Sequence, residues 1–262
     1  MKNIHSRPAE DRRVPLKGAV NFRDVGGLAT ADSLQVKRGL VYRADHLSRL
    51  TDSDHQVLRQ LDLKSVCDLR SPAEQQKSPD RLPHGGLIRL YSFPVQAARF
   101  DPAAAMERLE NGDKSWLSME FNIALYRCYL DDFAQVWSRI YTMAASASHL
   151  PLAFHCTGGK DRTGICAALL LKLLAVDEET IFAEHLLSNT CNAERLKPIY
   201  ARFAERGVSK KQAALYLQAP LEPLVDLFEY LHKKYHTVED YLLTRGTMQR
   251  HTLEQLQKTL HQ

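Results

Sequence analysis

Residues 151–175 constrain the fold of this chain more than any other stretch: PLAFH, then CTGGKDRTG, then the apolar run ICAALLL ending at Lys172. Pro151–His155 reads as a short apolar strand, and a helix is predicted from about Arg162 to Ala175, with a loop carrying two adjacent glycines between them. Upstream, Leu40–Arg43, Ser65–Leu69 and Leu87–Phe93 are further strand candidates. Thr51 is placed to cap a helix running to about Leu61, with Asp52 and Asp54 in its first turn. Strands alternating with helices predict an α/β layer fold with a mainly parallel central sheet flanked by helices.

The Gly26-Gly27 turn, with Asn21, Arg23 and Asp24 beside it, reads as a hydrogen-bonding motif that locks the fold. Between Gln96 and Trp116 the periodicity is lost, so an irregular insert is expected there. A single amphipathic helix is predicted from about Ser118 to Ala145, because Phe121, Leu125, Tyr129, Phe133, Val136 and Ile140 recur at helical spacing. After Val176 the pattern is helical to the end, with segments at Asp177–Leu187, Ala193–Glu205, Pro220–Tyr235, Val238–Thr244 and Leu253–Leu260. No linker-like stretch separates this helical third from the sheet region, and residues 1–262 are read as one domain: sheet and loop over about 18–176, helices over about 177–262.

Composition removes several function classes. The net charge of +4 from 35 basic and 31 acidic residues is spread along the chain, which argues against a nucleic-acid partner but leaves room for a local anion site. Five cysteines without a CxxC pair suggest reduced thiols and no zinc or dithiol centre, and no metal or other cofactor is expected. The N-terminal MKNIHSRPAEDRRVPLKGAV lacks the apolar stretch of a secretory signal, and the longest apolar run, at 7 residues, is far short of the roughly 20 a membrane helix needs. A cytoplasmic protein with no stable membrane insertion is expected; nothing in the sequence sets an oligomeric state.

The chemistry concentrates in His155–Gly164. A loop between strand and helix points backbone N–H groups and the positive helix end toward its concave side, which makes an anion site. Gly158 and Gly159 let the backbone wrap closely, and Arg162 can grip two oxygens of a tetrahedral oxyanion with its planar fork. Cys156 at the bottom of the cradle is then a candidate nucleophile: a thiol in such a field loses its proton below its usual value of about 8.5. Thr163 could donate to the sulfur. A lone cysteine in apolar surroundings is ordinarily a core residue, and the joint pattern of Cys, five residues, Arg and Thr-Gly is what overrides that reading. A nucleotide-binding GxxxxGK[ST] loop fails on Phe154 and Asp161.

HCTGGKDRTG resembles the HCxxGKDRTG signature of bacterial tyrosine-phosphatase-like enzymes, a family of dual-specificity protein and phosphoinositide phosphatases. NFRDVGGL at 21–28, VYRADHLSRLT at 41–51 and VCDLRSPAE at 66–74 resemble further blocks of the same family. The resemblance implies a tyrosine-phosphatase-like fold and Cys156 as nucleophile. It implies a phosphate cradle of Thr157, Gly158, Gly159, Lys160, Arg162 and Thr163, and metal-free hydrolysis of phosphotyrosine, phosphoserine, phosphothreonine or phosphoinositide esters through a phosphocysteine. Because the family includes secreted virulence factors, export by a specialised secretion system is compatible with the missing signal sequence.

A proton donor for the leaving group is the open assignment. Asp161 lies in the loop and is shared by the family, but beside Lys160 and Arg162 it would serve equally as a structural charge partner. Asp68, at the end of a predicted parallel strand, is a second acid or substrate-orienting candidate, or else a partner of Arg70 or Arg43, and Asp101 is a third. Lys160 raises the phosphoinositide reading, or is paired with Asp161. The rival functions are a non-catalytic phosphate- or phosphoinositide-binding module, against which the presence of both Cys156 and Arg162 argues, and a sulfurtransferase, which has no need of Arg162-Thr163.

Overall fold

The computed structural model describes residues 12–86, 88–98 and 100–262. Leu87, expected to open a strand, and most of the polar N-terminal segment lie outside the described residues. Five strands form one sheet: β1 (Arg23–Asp24), β2 (Val41–Ala44), β3 (Ser65–Asp68), β4 (Arg89–Ser92) and β5 (Leu152–His155), in the order β1-β2-β5-β3-β4. Only the β1–β2 pair is antiparallel; β5 runs parallel to β2 and β3, and β3 parallel to β4. The mainly parallel sheet expected from the alternating pattern is the one found.

Strands β2, β3 and β5 are buried along their whole length, and their alternate residues enter two separate cores. Tyr42, Ala44, Val66 and Ala153 pack with Phe22, Leu50 and Leu58, the last on helix α1 (Asp52–Gln60). Val41, Cys67, Leu152 and Phe154 join the larger core beneath the remaining helices. Helix α1 begins as expected, with Thr51 and Asp54 forming a capping box.

Helix α2 (Pro72–Lys77) was hidden in Ser71-Pro72, which reads as a strand stop. The same residues supply an N-cap, a proline in the first turn and Glu74 at the third position of a capping box. The expected irregular insert holds a short 3₁₀ turn at Pro102–Ala104 and helix α3 (Ala105–Glu110). The single helix expected over 118–145 is two, α4 (Met119–Asp132) and α5 (Ala134–Ala144), because Phe133 leaves helical geometry. Side chains replace the amides that a continuous helix would have used: Trp137 Nε1 donates to the Tyr129 carbonyl and the Tyr241 hydroxyl to that of Leu130. Apolar spacing cannot register such a break, since both halves bury the same face.

After β5, α6 (Asp161–Leu173) is buried for most of its length. The two helices expected over 177–205 are one, α7 (Glu178–Ala204), followed by α8 (Lys210–Leu217), α9 (Glu222–Tyr235), α10 (Val238–Thr244) and α11 (Arg250–Leu260). The polar run Ser188-Asn189-Thr190 lies in the gap between the two expected segments, as if outside any helix. Ser188 instead faces Arg23 and Arg43, and Asn189 is bonded through both ends of its amide to Ala219. Among the described residues no helix is long and apolar enough to cross a membrane.

Candidate active site

The segment 156–160 leaves β5 at the carboxyl edge of the sheet and enters α6 at Asp161. Its carbonyls are drawn outward by a ring of distant side chains. Asn21 donates to the carbonyls of Gly158 and Gly159 at 3.0 and 3.1 Å, Asn192 to that of Gly158 at 3.0 Å, and Arg43 to that of Gly159 at 2.7 Å. Among the described residues, the amides of Thr157, Gly158, Gly159 and Lys160 donate to no protein acceptor. A loop whose acceptors are taken from behind and whose donors are left over is built for an anion. Gly159 is required twice: its φ is +65°, and a Cβ there would lie 2.5 Å from the Ala44 carbonyl oxygen.

The outer supports are themselves fixed by buried charge. Glu184 of α7 bridges Arg23 Nε at 2.6 Å and Arg43 Nη1 at 2.5 Å, with both guanidinium groups inaccessible to solvent. Burial alone would raise the Glu184 carboxyl; the two arginines outweigh it and bring its pKa down to about 2. The Asn21/Arg23 motif therefore locks the fold by locking the loop.

Arg162, at the start of α6, is held from α2. Its two terminal nitrogens donate to the two Glu74 oxygens at 2.6 and 2.8 Å, and the Thr157 hydroxyl donates to the same carboxylate. Burial works against the charged Glu74, but its bonds to Arg162 dominate and its pKa falls to about 2. One carboxylate thus ties both ends of the cradle together. Glu74 closes the block 66–74 in the sequence, but its capping pattern carried no sign of that second role.

The loop floors a pocket of about 260 Å³, in which Cys156, Thr157, Gly158, Lys160, Asp161 and Arg162 come together. Gly159 and Thr163 do not line it. Thr163 is fully buried, and its hydroxyl, closed off from solvent, has no hydrogen-bond partner, so the bond to the sulfur suggested by its position is not made. The walls are Phe100 and Met106 from the former insert, Phe121, Leu125 and Tyr129 from α4, Leu196, Ile199 and Phe203 from α7, and Tyr216 from α8. The expected insert at 96–116 and, of the helices after 176, α7 and α8 therefore wall the cradle. Asn192, Arg195 and Arg202 add the polar part of the α7 wall.

Of the acid candidates, only Asp161 reaches the pocket. Its Oδ1 accepts from the Tyr126 hydroxyl at 2.9 Å and its Oδ2 from Lys160 Nζ at 2.5 Å. Asp68 is buried and gripped by Arg70, whose Nε and Nη2 lie 2.9 and 2.7 Å from its two oxygens. Of the two partners considered for Asp68, Arg70 is the one found, since Arg43 is taken by Glu184. Asp101 caps the Pro102–Ala104 turn and accepts from Ser71. His155 is buried with Nε2 2.9 Å from Asp80 and Nδ1 3.4 Å from the Cys156 carbonyl oxygen; burial pulls its pKa down, and the Asp80 carboxylate more than compensates and raises it. Asp68, Asp80 and His155 are grouped closely enough to ligate a cation, but Arg70 pairs with both carboxylates.

A buried thiol and a guanidinium converging on one pocket at the carboxyl edge of a parallel sheet define a phosphatase-like α/β architecture. The sequence is more specific: a model of the tyrosine phosphatase family matches residues 14–262, and the chain belongs to that family. It is 36% identical over 194 residues to the triple specificity protein phosphatase PtpB of Mycobacterium tuberculosis, covering 66% of this chain and 68% of that one. It is 31% identical over 222 residues to a Cupriavidus necator chain provisionally named a tyrosine-protein phosphatase, covering 85% and 80%. Among solved structures, Pseudomonas aeruginosa TpbA aligns with 70% of this chain and 88% of its own at 18% identity and a TM-score of 0.31. The protein is accordingly a phosphoric monoester hydrolase of the protein-tyrosine-phosphatase type.

Proposed function

We propose that the protein hydrolyses phosphotyrosine esters through a phosphocysteine formed on Cys156. The observation that carries the reading is the pairing of a donor-lined cradle with aromatic and aliphatic walls directly above it. Phosphate oxygens take the free amides and Arg162; the Cys156 sulfur attacks phosphorus as the ester P–O bond breaks, and the leaving oxygen takes the Asp161 proton. Water then attacks phosphorus, the S–P bond breaks with its electron pair returning to sulfur, and the water proton passes to Asp161.

The walls favour an aryl ester over an inositol headgroup. A phenyl ring finds neighbours of its own kind in Phe100, Phe121, Tyr129 and Phe203, at a gain of about 0.5–1.5 kcal/mol per aromatic pair beyond area burial. An inositol ring turns hydroxyls toward the same surfaces, and each one left without a partner costs about 1–3 kcal/mol. Lys160, the sequence argument for phosphoinositides, is paired with Asp161 and lies over the Tyr216 ring at 5.5 Å. The expected order of kcat/KM is phosphotyrosine peptide first, phosphoserine peptide second and monophosphorylated or multiply phosphorylated phosphoinositides last, all without added metal. A phosphoinositide ranked above the phosphotyrosine peptide would overturn the assignment.

For the acid, Asp161→Asn is expected to lower kcat/KM on an aryl phosphate with a poor leaving group by about 100-fold. A good leaving group departs without a proton and is expected to lose only a few-fold. Equal losses on the two esters would leave Asp161 with the structural role.

A further inference from the structure

We infer that Tyr126 is the positioning residue of the proton donor: its hydroxyl holds Asp161 by Oδ1 and leaves Oδ2 to serve the leaving group. This rests on the reading of Asp161 as the acid.

Asp161 is the first residue of α6, and Lys160 before it makes no side-chain cap, so α6 itself provides no such anchor for the carboxyl group. A proton donor has to meet the leaving oxygen within hydrogen-bond reach, and a carboxyl free to turn about two torsions spends much of its time elsewhere. Tyr126 removes that freedom. It is buried on α4, its hydroxyl lies 2.9 Å from Asp161 Oδ1, and its ring is backed edge-on by His185 at 6.5 Å between centroids.

The two partners of Asp161 differ in what a bound phosphate does to them. Lys160 carries a charge, lines the pocket beside the cradle and is drawn to the dianion, which releases Oδ2. Tyr126 is neutral, does not line the pocket and has no reason to move, so it keeps hold of Oδ1. The carboxyl is then freed at one oxygen and anchored at the other. Nothing in the loop sequence shows this, since the two residues stand 35 positions apart.

The test compares kcat/KM for wild type, Tyr126→Phe, Asp161→Asn and the double variant on phenyl phosphate and 2,4-dinitrophenyl phosphate. Phenylalanine keeps the buried ring and removes only the hydroxyl. The expected result is a loss of about ten- to thirty-fold on phenyl phosphate and less than about three-fold on the dinitrophenyl ester for Tyr126→Phe. The double variant is expected to be no slower on phenyl phosphate than Asp161→Asn alone. Equal losses on both esters with Tyr126→Phe mark a fold support and overturn the inference, as does no loss, or full additivity in the double variant, while a selective Asp161→Asn leaves the acid standing. If Asp161→Asn is itself unselective, the acid reading has failed and the inference falls with it.

Discussion

Cys156→Ser is expected to abolish turnover of p-nitrophenyl phosphate and of a phosphotyrosine peptide, by about 10⁴-fold or more, while leaving phosphate binding in place. A serine hydroxyl can replace a thiolate as nucleophile only where a neighbouring base takes its proton. The histidine next in sequence offers none: His155 is completely buried, with Nε2 2.9 Å from Asp80 and Nδ1 3.4 Å from the Cys156 carbonyl oxygen. The cradle depends on none of this. Its carbonyls stay anchored by Asn21, Arg43 and Asn192, and Arg162 stays on Glu74. The variant should therefore bind a phosphotyrosine peptide by calorimetry about as well as the wild type binds a non-hydrolysable analogue. Residual activity above about one per cent, retained after removal of metal, would place the nucleophile elsewhere.

The cradle was legible because a strand-to-helix anion site has to be contiguous: Cys156, the glycines and Arg162 must follow one another on a single turn of chain. Its supports are under no such constraint. Asn21, Arg43, Glu74, Tyr126 and Asn192 reach the loop from five other segments, and each looks locally like something ordinary: a turn asparagine, a capping glutamate, a tyrosine on a helix's apolar face. Glu74 shows the limit most clearly: Ser71-Pro72 reads as a strand stop, and even the capping box the structure shows there accounts for Glu74 without Arg162. The same ambiguity disguised α7. A helix that offers Glu184, Ser188 and Asn192 to buried arginines and a loop carbonyl has to be polar along its inner face, and polarity without apolar period reads as a break. The sheet was easier: β2, β3 and β5 are buried on both faces and read as short apolar runs, and each of the four expected strands, the mostly exposed β4 included, lies within two residues of one found.

Glu74→Ala is expected to be the most damaging substitution outside the loop. It leaves the Arg162 guanidinium buried without its counter-charge, which typically costs about 3–5 kcal/mol, and for a chain of this size lowers Tm by about 6–20 °C. Catalysis should suffer separately, because an arginine that grips a phosphoryl group has to be presented in a fixed plane, and its remaining partner is the Leu69 carbonyl at 3.3 Å. A fall in kcat/KM of about 10²–10³-fold is expected well below the new Tm. Glu74→Gln separates the effects: the amide can still cap α2 and accept one bond from Arg162 but supplies no counter-charge, so only part of the stability and part of the activity should be recovered. Acid titration gives an independent reading. The Glu74 pKa is about 2 in the folded protein against an ordinary 4.5, so the stabilisation is complete above about pH 4.5 and is lost as pH falls through 2. Glu184 contributes in the same window, and the Gln variant should keep that contribution while losing the one from Glu74. Acid unfolding followed by circular dichroism should therefore depend less steeply on pH in Glu74→Gln than in wild type; identical slopes would mean that the Glu74–Arg162 pair does not hold the cradle together.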